Sequence, residues 1–180
     1  ETVAGLAKML HRIIGEDVHL HLHLHPLPLA TRGDAGMLDQ VLMNMAVNAR
    51  DAMPQGGHLQ IETAPQVVDD AVAQIRPDVP PGRYVCLRVS DTGCGIAPDV
   101  LPRIFEPFFT TKEPGKGTGL GLATVYGIVR QSGGYIDVRS EAGRGASFSV
   151  YLPRLDPQVA PNGDGLPASD LTHQPLTRFR

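Results

Sequence analysis

Residues 91–122 read DTGCGIAPDVLPRIFEPFFTTKEPGKGTGLGL and gather side chains able to hold a nucleotide. Asp91 closes the apolar run YVCLRVS, a position from which a carboxylate can point into a pocket. A carboxylate accepts hydrogen bonds and cannot donate, so it suits an exocyclic amine such as adenine N6 over the acceptor that guanine presents there. Gly93 and Gly95 permit close backbone approach, although DxGxG alone matches many surface turns. Further on, Gly115, Gly117, Gly119 and Gly121 lead into an apolar helix. Backbone N–H groups at such a helix start, with Lys116 beside them, can face phosphate. The run lacks the P-loop spacing GxxxxGK[ST] and the βαβ surroundings of a dinucleotide fingerprint. A glycine-rich loop ahead of an ordinary amphipathic helix fits the same residues.

Asn44 and Asn48 stand one turn apart on a long helix whose apolar set is Leu38, Val41, Leu42, Met45 and Ala52. Both amides then share a face. Amides on an apolar helix need partners, and Mg²⁺ with phosphate oxygens supplies them as well as a neighbouring loop does. His19, His21, His23 and His25 alternate with leucines in VHLHLHLH. On a strand they line one face, about 7 Å apart in succession. Such rows can bind transition metals, but without Cys or carboxylate partners nearby the favoured reading is a solvated edge face opposite the leucines.

The positioning elements follow from periodicity. Residues 1–14 repeat apolar positions at helical spacing, and 18–25 alternate as a half-buried strand with Val18, Leu20, Leu22 and Leu24 inward. Asp34 is an N-cap for the long helix, which Pro54 and the 56–57 glycines stop near Met53. Strands are predicted at about 58–63 and 83–90, with an insertion between them that includes one helical turn. A helix from about Gly119 to Gln131 and strands at about 135–140 and 146–152 around the turn EAGRG complete the set. The fold class expected is α+β, a mixed sheet with helices covering one face. After Pro153 the Pro- and Gly-rich texture reads as linker or disordered tail over 154–180, leaving 1–153 as the folded domain.

Composition bounds the function. Sixteen basic against nineteen acidic side chains, net charge −3, give no footprint for nucleic acid or an anionic membrane. Two cysteines, Cys86 and Cys94, exclude a disulfide scaffold. No apolar run reaches the ~20 residues of a membrane span and no signal peptide opens the chain, so a cytoplasmic module is expected. The first residue is Glu, as expected of a piece of a longer protein, soluble or membrane-anchored.

Asn44-xxx-Asn48, DTGCG, FEPFFTTK, GKGTGLGL and GRGASF, in that order over about 38–152, closely resemble the N, G1, F, G2 and G3 boxes of sensor histidine kinases. These mark the catalytic ATP-binding domain of the gyrase–chaperone–kinase–MutL (GHKL) superfamily. NARDAMPQGG and GLATVYGIVRQSGG are similar to its nitrogen-regulation and hybrid-kinase subgroups. The resemblance implies the Bergerat fold, a two-layer α/β sandwich with a flexible ATP lid, and ATP and Mg²⁺ as cofactors. Asn48 would coordinate the metal, with Asn44 near the metal and phosphates. Asp91 would bind the adenine amine, with Gly93, Gly95 and Ile96 shaping that wall. Gly117, Thr118, Gly119, Leu120 and Gly121 would wrap the phosphates. Arg50, Lys112 and Lys116 are the candidate phosphate cations. Ser147, at a position usually Thr, would reach the adenine through water. Phe105, Phe108 and Phe109 would pack the lid or partner helices, or belong to the core.

Two further points follow from the same resemblance. Many sensor kinases carry Lys where this chain has Asp51. ATP-hydrolysing relatives carry Glu, the base acting on water, where this chain has Asn44, so hydrolysis is disfavoured. None of the seven histidines sits in a phospho-acceptor context. The resemblance therefore implies a histidine kinase catalytic domain. Its acceptor would be a His on a separate upstream dimerisation hairpin, a response regulator would lie downstream, and the chain itself would be monomeric. The alternatives are a non-catalytic ATP-sensing module and a serine kinase of the anti-sigma type on the same fold.

Overall fold

The computed structural model describes residues 3–70, 73, 79–113, 115–155 and 176–179. In chain order the elements are α1 (Val3–Ile14), β1 (Val18–His23), β2 (Leu29–Arg32), α2 (Ala35–Ala52), β3 (Gly57–Val68), β4 (Gly82–Asp91), α3 (Gly121–Gln131), β5 (Tyr135–Ser140), β6 (Ala146–Pro153) and β7 (Leu176–Phe179). A single 3₁₀ turn, Leu101–Arg103, lies between β4 and α3. Five strands form one sheet in the order β1-β3-β4-β6-β5. The β1–β3 pair is parallel and the other pairs are antiparallel, so the sheet is mixed.

The two sheet faces differ as strand alternation requires. Leu59 and Ile61 of β3, Val85, Leu87 and Val89 of β4, and Phe148, Val150 and Leu152 of β6 are buried in one core. That core also takes Leu10 and Ile14 of α1, Val41, Leu42 and Met45 of α2, and Val125 and Val129 of α3. On the opposite face Gln60, Glu62, Arg88, Ser90, Ser147 and Ser149 line a polar depression. The helices therefore share one face, as the sequence predicts.

Each helix boundary has a local cause. The Asp34 carboxylate accepts from Met37 N–H at 3.1 Å, satisfying one of the orphan donors of α2's first turn. At the other end Met53 N–H turns back to Arg50 C=O at 3.0 Å, ahead of Pro54. Gly121 opens α3 and Ser132 closes it, the Ser132 hydroxyl donating to Ile128 C=O at 2.9 Å.

Two strand ends need correction. The strand starting near 58 runs on to Val68, paired with β4 as far as Val68 opposite Gly82, so residues 64–68 of the supposed insertion are sheet. Pro65 is tolerated there because β1 covers β3 only to Glu62, leaving the rest an edge, where proline is permitted. The expected helical turn falls largely on residues outside the described ones. The expected strand to residue 25 ends at His23.

Backbone pairing also occurs beyond Pro153. Arg154 N–H donates to Arg83 C=O at 2.9 Å and Leu155 N–H to Ala30 C=O at 2.8 Å. Leu176–Phe179 pairs antiparallel with β2 as a two-stranded sheet. The ladder satisfies backbone groups that composition alone does not reveal. The remainder of the tail, 156–175 and 180, lies outside the described residues.

Candidate nucleotide site

A cavity of about 220 Å³ opens between the C-terminal half of α2, the end of β4 and the start of α3. Asn48, Asp51 and Ala52 reach it from α2, Asp91, Gly95 and Ile96 from the end of β4 and its turn, and Lys112 from the loop before α3. Ile104, Phe109, Leu122 and Phe148 make its apolar wall. A planar apolar base fits such a wall, with a few polar groups fixing its orientation.

Asp91 is the anchored acid. Gly93 N–H and Ala146 N–H donate to its Oδ1 at 2.8 and 3.3 Å, and both of its recorded bonds fall on that one oxygen. Burial pushes the carboxyl above its ordinary value, against the lowering pull of the Gly93 and Ala146 amides. Beside it the glycine turn is wedged against α2. Cys94 N–H donates to Ala52 C=O at 3.0 Å, and a Cβ on Gly93 would come within 2.6 Å of that same oxygen. Gly95, at φ +69°, lies where a Cβ would collide with Glu141 C=O. These two glycines are thus required by protein–protein approach at the cavity's edge, which fixes where Asp91 stands.

Asn48 is half-buried on the cavity wall, and its Nδ2 lies 3.6 Å from where a Cβ of Gly121 would be. No hydrogen bond of its amide is recorded among the described residues. Asn44, one turn earlier and also half-buried, is not among the residues lining the cavity.

The three candidate cations separate. Lys112 lines the cavity, its Nζ 2.6 Å from Asp51 Oδ2. Arg50 pairs with Asp51 Oδ1 at 2.6 Å and also donates to Ile13 C=O at 3.3 Å, away from the cavity. Lys116 is exposed and pairs with Glu113 at 2.7 Å. Burial alone would raise the Asp51 carboxyl, but Lys112 and Arg50 together hold it below its ordinary value.

Gly117, Thr118, Gly119 and Leu120 precede α3 and do not line the cavity in this structure. The loop is tied at its base, where Phe108 N–H donates to Gly119 C=O at 2.9 Å. Phe108 has φ +67° and is 74 % exposed, whereas Phe109 lies on the cavity wall beneath the Arg103 guanidinium, 4.4 Å from its ring centre. Phe105 stacks at 5.4 Å on Tyr126 of α3.

Ser147 is not brought to the cavity. Its hydroxyl bonds Ser90 Oγ at 2.8 Å on the polar face of the sheet. Ala146 and Phe148 occupy the cavity side, because neighbouring strand residues point to opposite faces. The inward series Ala146, Phe148, Val150, Leu152 was present in the sequence as the signal for this register. Sequence reasoning also missed Ile104, Leu122 and Phe148 as cavity residues, since aliphatic and aromatic side chains carry no chemical signature of a ligand wall.

A family described as histidine kinase-, DNA gyrase B- and HSP90-like ATPase matches residues 33–156. The chain belongs to this family. The ATPase-family match spans the N-terminal end of α2 through β6, the segment that builds the cavity. Sensor kinase CckA of Brucella abortus is 48% identical over 155 residues, covering 86% of this chain and 16% of its own length. A mycobacterial sensor histidine kinase, MprB, superposes with TM-score 0.66 at 25% identity, covering 84% of this chain and 92% of that structure. Full-length ShkA in complex with AMPPNP superposes with TM-score 0.64 at 30% identity, covering 86% of this chain and 30% of that one. The chain thus spans about a sixth of the length of the CckA relative.

Proposed function

We propose that this ATPase-family domain is the catalytic part of a two-component sensor histidine kinase, binding ATP with Mg²⁺ and presenting the γ-phosphoryl to a His on a separate helical hairpin. The observation that carries the proposal is the convergence of Asp91, Asn48 and Lys112 on one apolar-walled cavity. Asp91 Oδ1 is engaged by two backbone amides, which leaves acceptor capacity on the carboxylate for the adenine amine. Asn48 lies on the same wall and offers a neutral amide oxygen to a hard cation.

The fit to Mg²⁺ can be judged from the donor set. Among the described residues no three His, Cys, Asp or Glu side chains gather as a metal cage. A cation here is therefore one carried in on phosphate oxygens and steadied by Asn48, as Mg²⁺ usually is with nucleotides. When bound, Mg²⁺ supplies charge neutralisation. Lys112 adds a positive charge at the same wall, and the chain's own part is to orient the nucleotide and shield it, as phosphoryl transfer requires. Asn44 stands where hydrolysing relatives carry their base, and an amide cannot take a proton from water. Transfer to a protein acceptor is favoured accordingly.

The partner surface is supported by Phe108, Leu120 and Tyr126, which are 74, 40 and 41 % exposed around the loop and α3. Exposed apolar groups of this kind suit a helical hairpin. The response regulator belongs downstream of that hairpin, and the domain by itself is monomeric. Mixing the chain with the hairpin of a full-length sensor kinase and γ-labelled ATP tests the reading. Acid-labile phosphohistidine on the hairpin is expected. Acid-stable phosphoserine would replace the reading with a serine kinase, and binding without transfer would reduce it to an ATP sensor.

A further inference from the structure

The histidines of β1 acquire a partner that the sequence alone does not show. Along one strand, alternate residues are about 7 Å apart, too far for two ring nitrogens to share an ion without rearrangement. In the sheet, however, β1 lies parallel to β3 with His19 opposite His58. The His58 ring sits between two neighbours, its centre 5.4 Å from that of His19 and 5.2 Å from that of His21. His21 Nε2 and His58 Nδ1 are 3.0 Å apart. All three side chains are exposed, on the face away from the nucleotide cavity.

That separation has two chemical readings which coexist. Without a metal, one nitrogen carries the proton and donates to the other. With a metal, two nitrogens each about 2.1 Å from one ion are about 3.0 Å apart at a right angle and about 3.4 Å apart at the tetrahedral angle. The observed distance already matches two adjacent ligands of a single ion.

We infer that His21 Nε2 and His58 Nδ1 form a cross-strand clamp for a divalent transition-metal ion of the imidazole-binding class, Cu²⁺, Ni²⁺ or Zn²⁺. When the ion binds, the bridging proton moves through solvent to the other nitrogen of the ring that carried it, so that both rings coordinate as neutral imidazoles with no net change in protons. Because no group of three His, Cys, Asp or Glu ligands gathers among the described residues, water completes the coordination shell. The order of affinity follows the general series for nitrogen ligands, with Cu²⁺ tightest. Two backbone hydrogen bonds hold the β3 ligand in place. His58 N–H donates to Thr92 Oγ1 at 3.0 Å, and Thr92 N–H donates to His58 C=O at 3.2 Å.

The test is calorimetric titration of CuCl₂, NiCl₂ and ZnCl₂ into the 180-residue chain, without nucleotide because ATP would compete for the ions. The proteins compared are wild type, His21→Ala, His58→Ala, the double variant and His23→Ala. One equivalent is expected to bind wild type. Either single substitution should weaken binding by at least the roughly tenfold that loss of a ligand-orienting partner costs elsewhere. The double variant should be little worse than the singles, and His23→Ala should match wild type. Electron paramagnetic resonance of the Cu²⁺ adduct should show two imidazole nitrogens in wild type and fewer in each single variant. Unchanged circular dichroism keeps a folding defect apart from a lost ligand. Wild-type affinity in His21→Ala or His58→Ala, or equal loss in His23→Ala, overturns the clamp.

Discussion

At the scale of single residues, Asp91 carries a tension between stability and function. Burial raises its pKa above the ordinary value, so folding favours the protonated acid. The associated stability is full below the unfolded-state pKa and is lost as pH rises through the higher folded value. At neutral pH the ionised carboxylate is thus an internal cost, kept for what it binds. Asp91→Asn retains an oxygen for the Gly93 and Ala146 amides and removes that cost. Its melting temperature at pH 7 should equal or exceed that of wild type while adenine recognition is lost; differential scanning calorimetry reads the first. Asp51 has the opposite sign. Its lowered pKa gives stability that is present above the unfolded pKa and lost as pH falls through the folded one. Among the cations, Lys112→Ala should weaken binding of an ATP analogue more than Arg50→Ala or Lys116→Ala, because Lys112 alone of the three lines the cavity. Asp91, Asn48 and Lys112 could be picked out in the sequence by their chemistry, but type alone did not separate them from Asn44, Arg50 and Lys116, which do not line the cavity. The place of Ser147 was not legible, because a hydroxyl's use depends on which sheet face it occupies, and one residue of register reverses that.

Secondary-structure elements set where these residues stand, and their ends carry testable weight. Asp34→Ala removes the side-chain acceptor for Met37 N–H at the start of α2 and should cost about 1 kcal/mol in denaturant unfolding. Gly95→Ala meets both a positive φ and the Glu141 carbonyl, so it should lose stability and nucleotide binding together, in contrast to Asp91→Asn, which loses binding alone. Thermal melts run beside analogue titrations distinguish the two patterns. α2 was readable from Asp34 to Met53 because its cap, apolar period and terminating proline agree with one another. β2 was not, being four residues long and paired with β7, a segment remote in sequence. The extension of β3 past Pro65 was hidden for a related reason. Proline argues against a central strand, and only the end of β1 reveals that this stretch is an edge.

For the whole molecule, three helices on one sheet face make the main core, and the nucleotide cavity is the gap left where α2, the β4 turn and α3 meet. The opposite face is polar around Arg88, which pairs with Glu62 at 3.6 Å, and further along it carries a small second cluster in which Val68, Val79 and Tyr84 pack with Tyr135 and Tyr151. The architecture was legible because helix and strand periods alternate cleanly along the chain, and the cavity's apolar lining was not, because core and ligand wall use the same side chains. No helix among the described residues is long and apolar enough to cross a membrane. Sedimentation velocity should give one species at the mass of the 19.3 kDa chain across a concentration series; a dimer that persists on dilution would contradict a hairpin-borne dimer interface. The central claim is the ATP site itself. Its most direct measurement is calorimetric titration of a non-hydrolysable ATP analogue, with and without Mg²⁺, into wild type and Asp91→Asn. The account predicts saturable binding to wild type that tightens with Mg²⁺ and disappears in the folded Asp91→Asn protein; equal binding by the two proteins would contradict it.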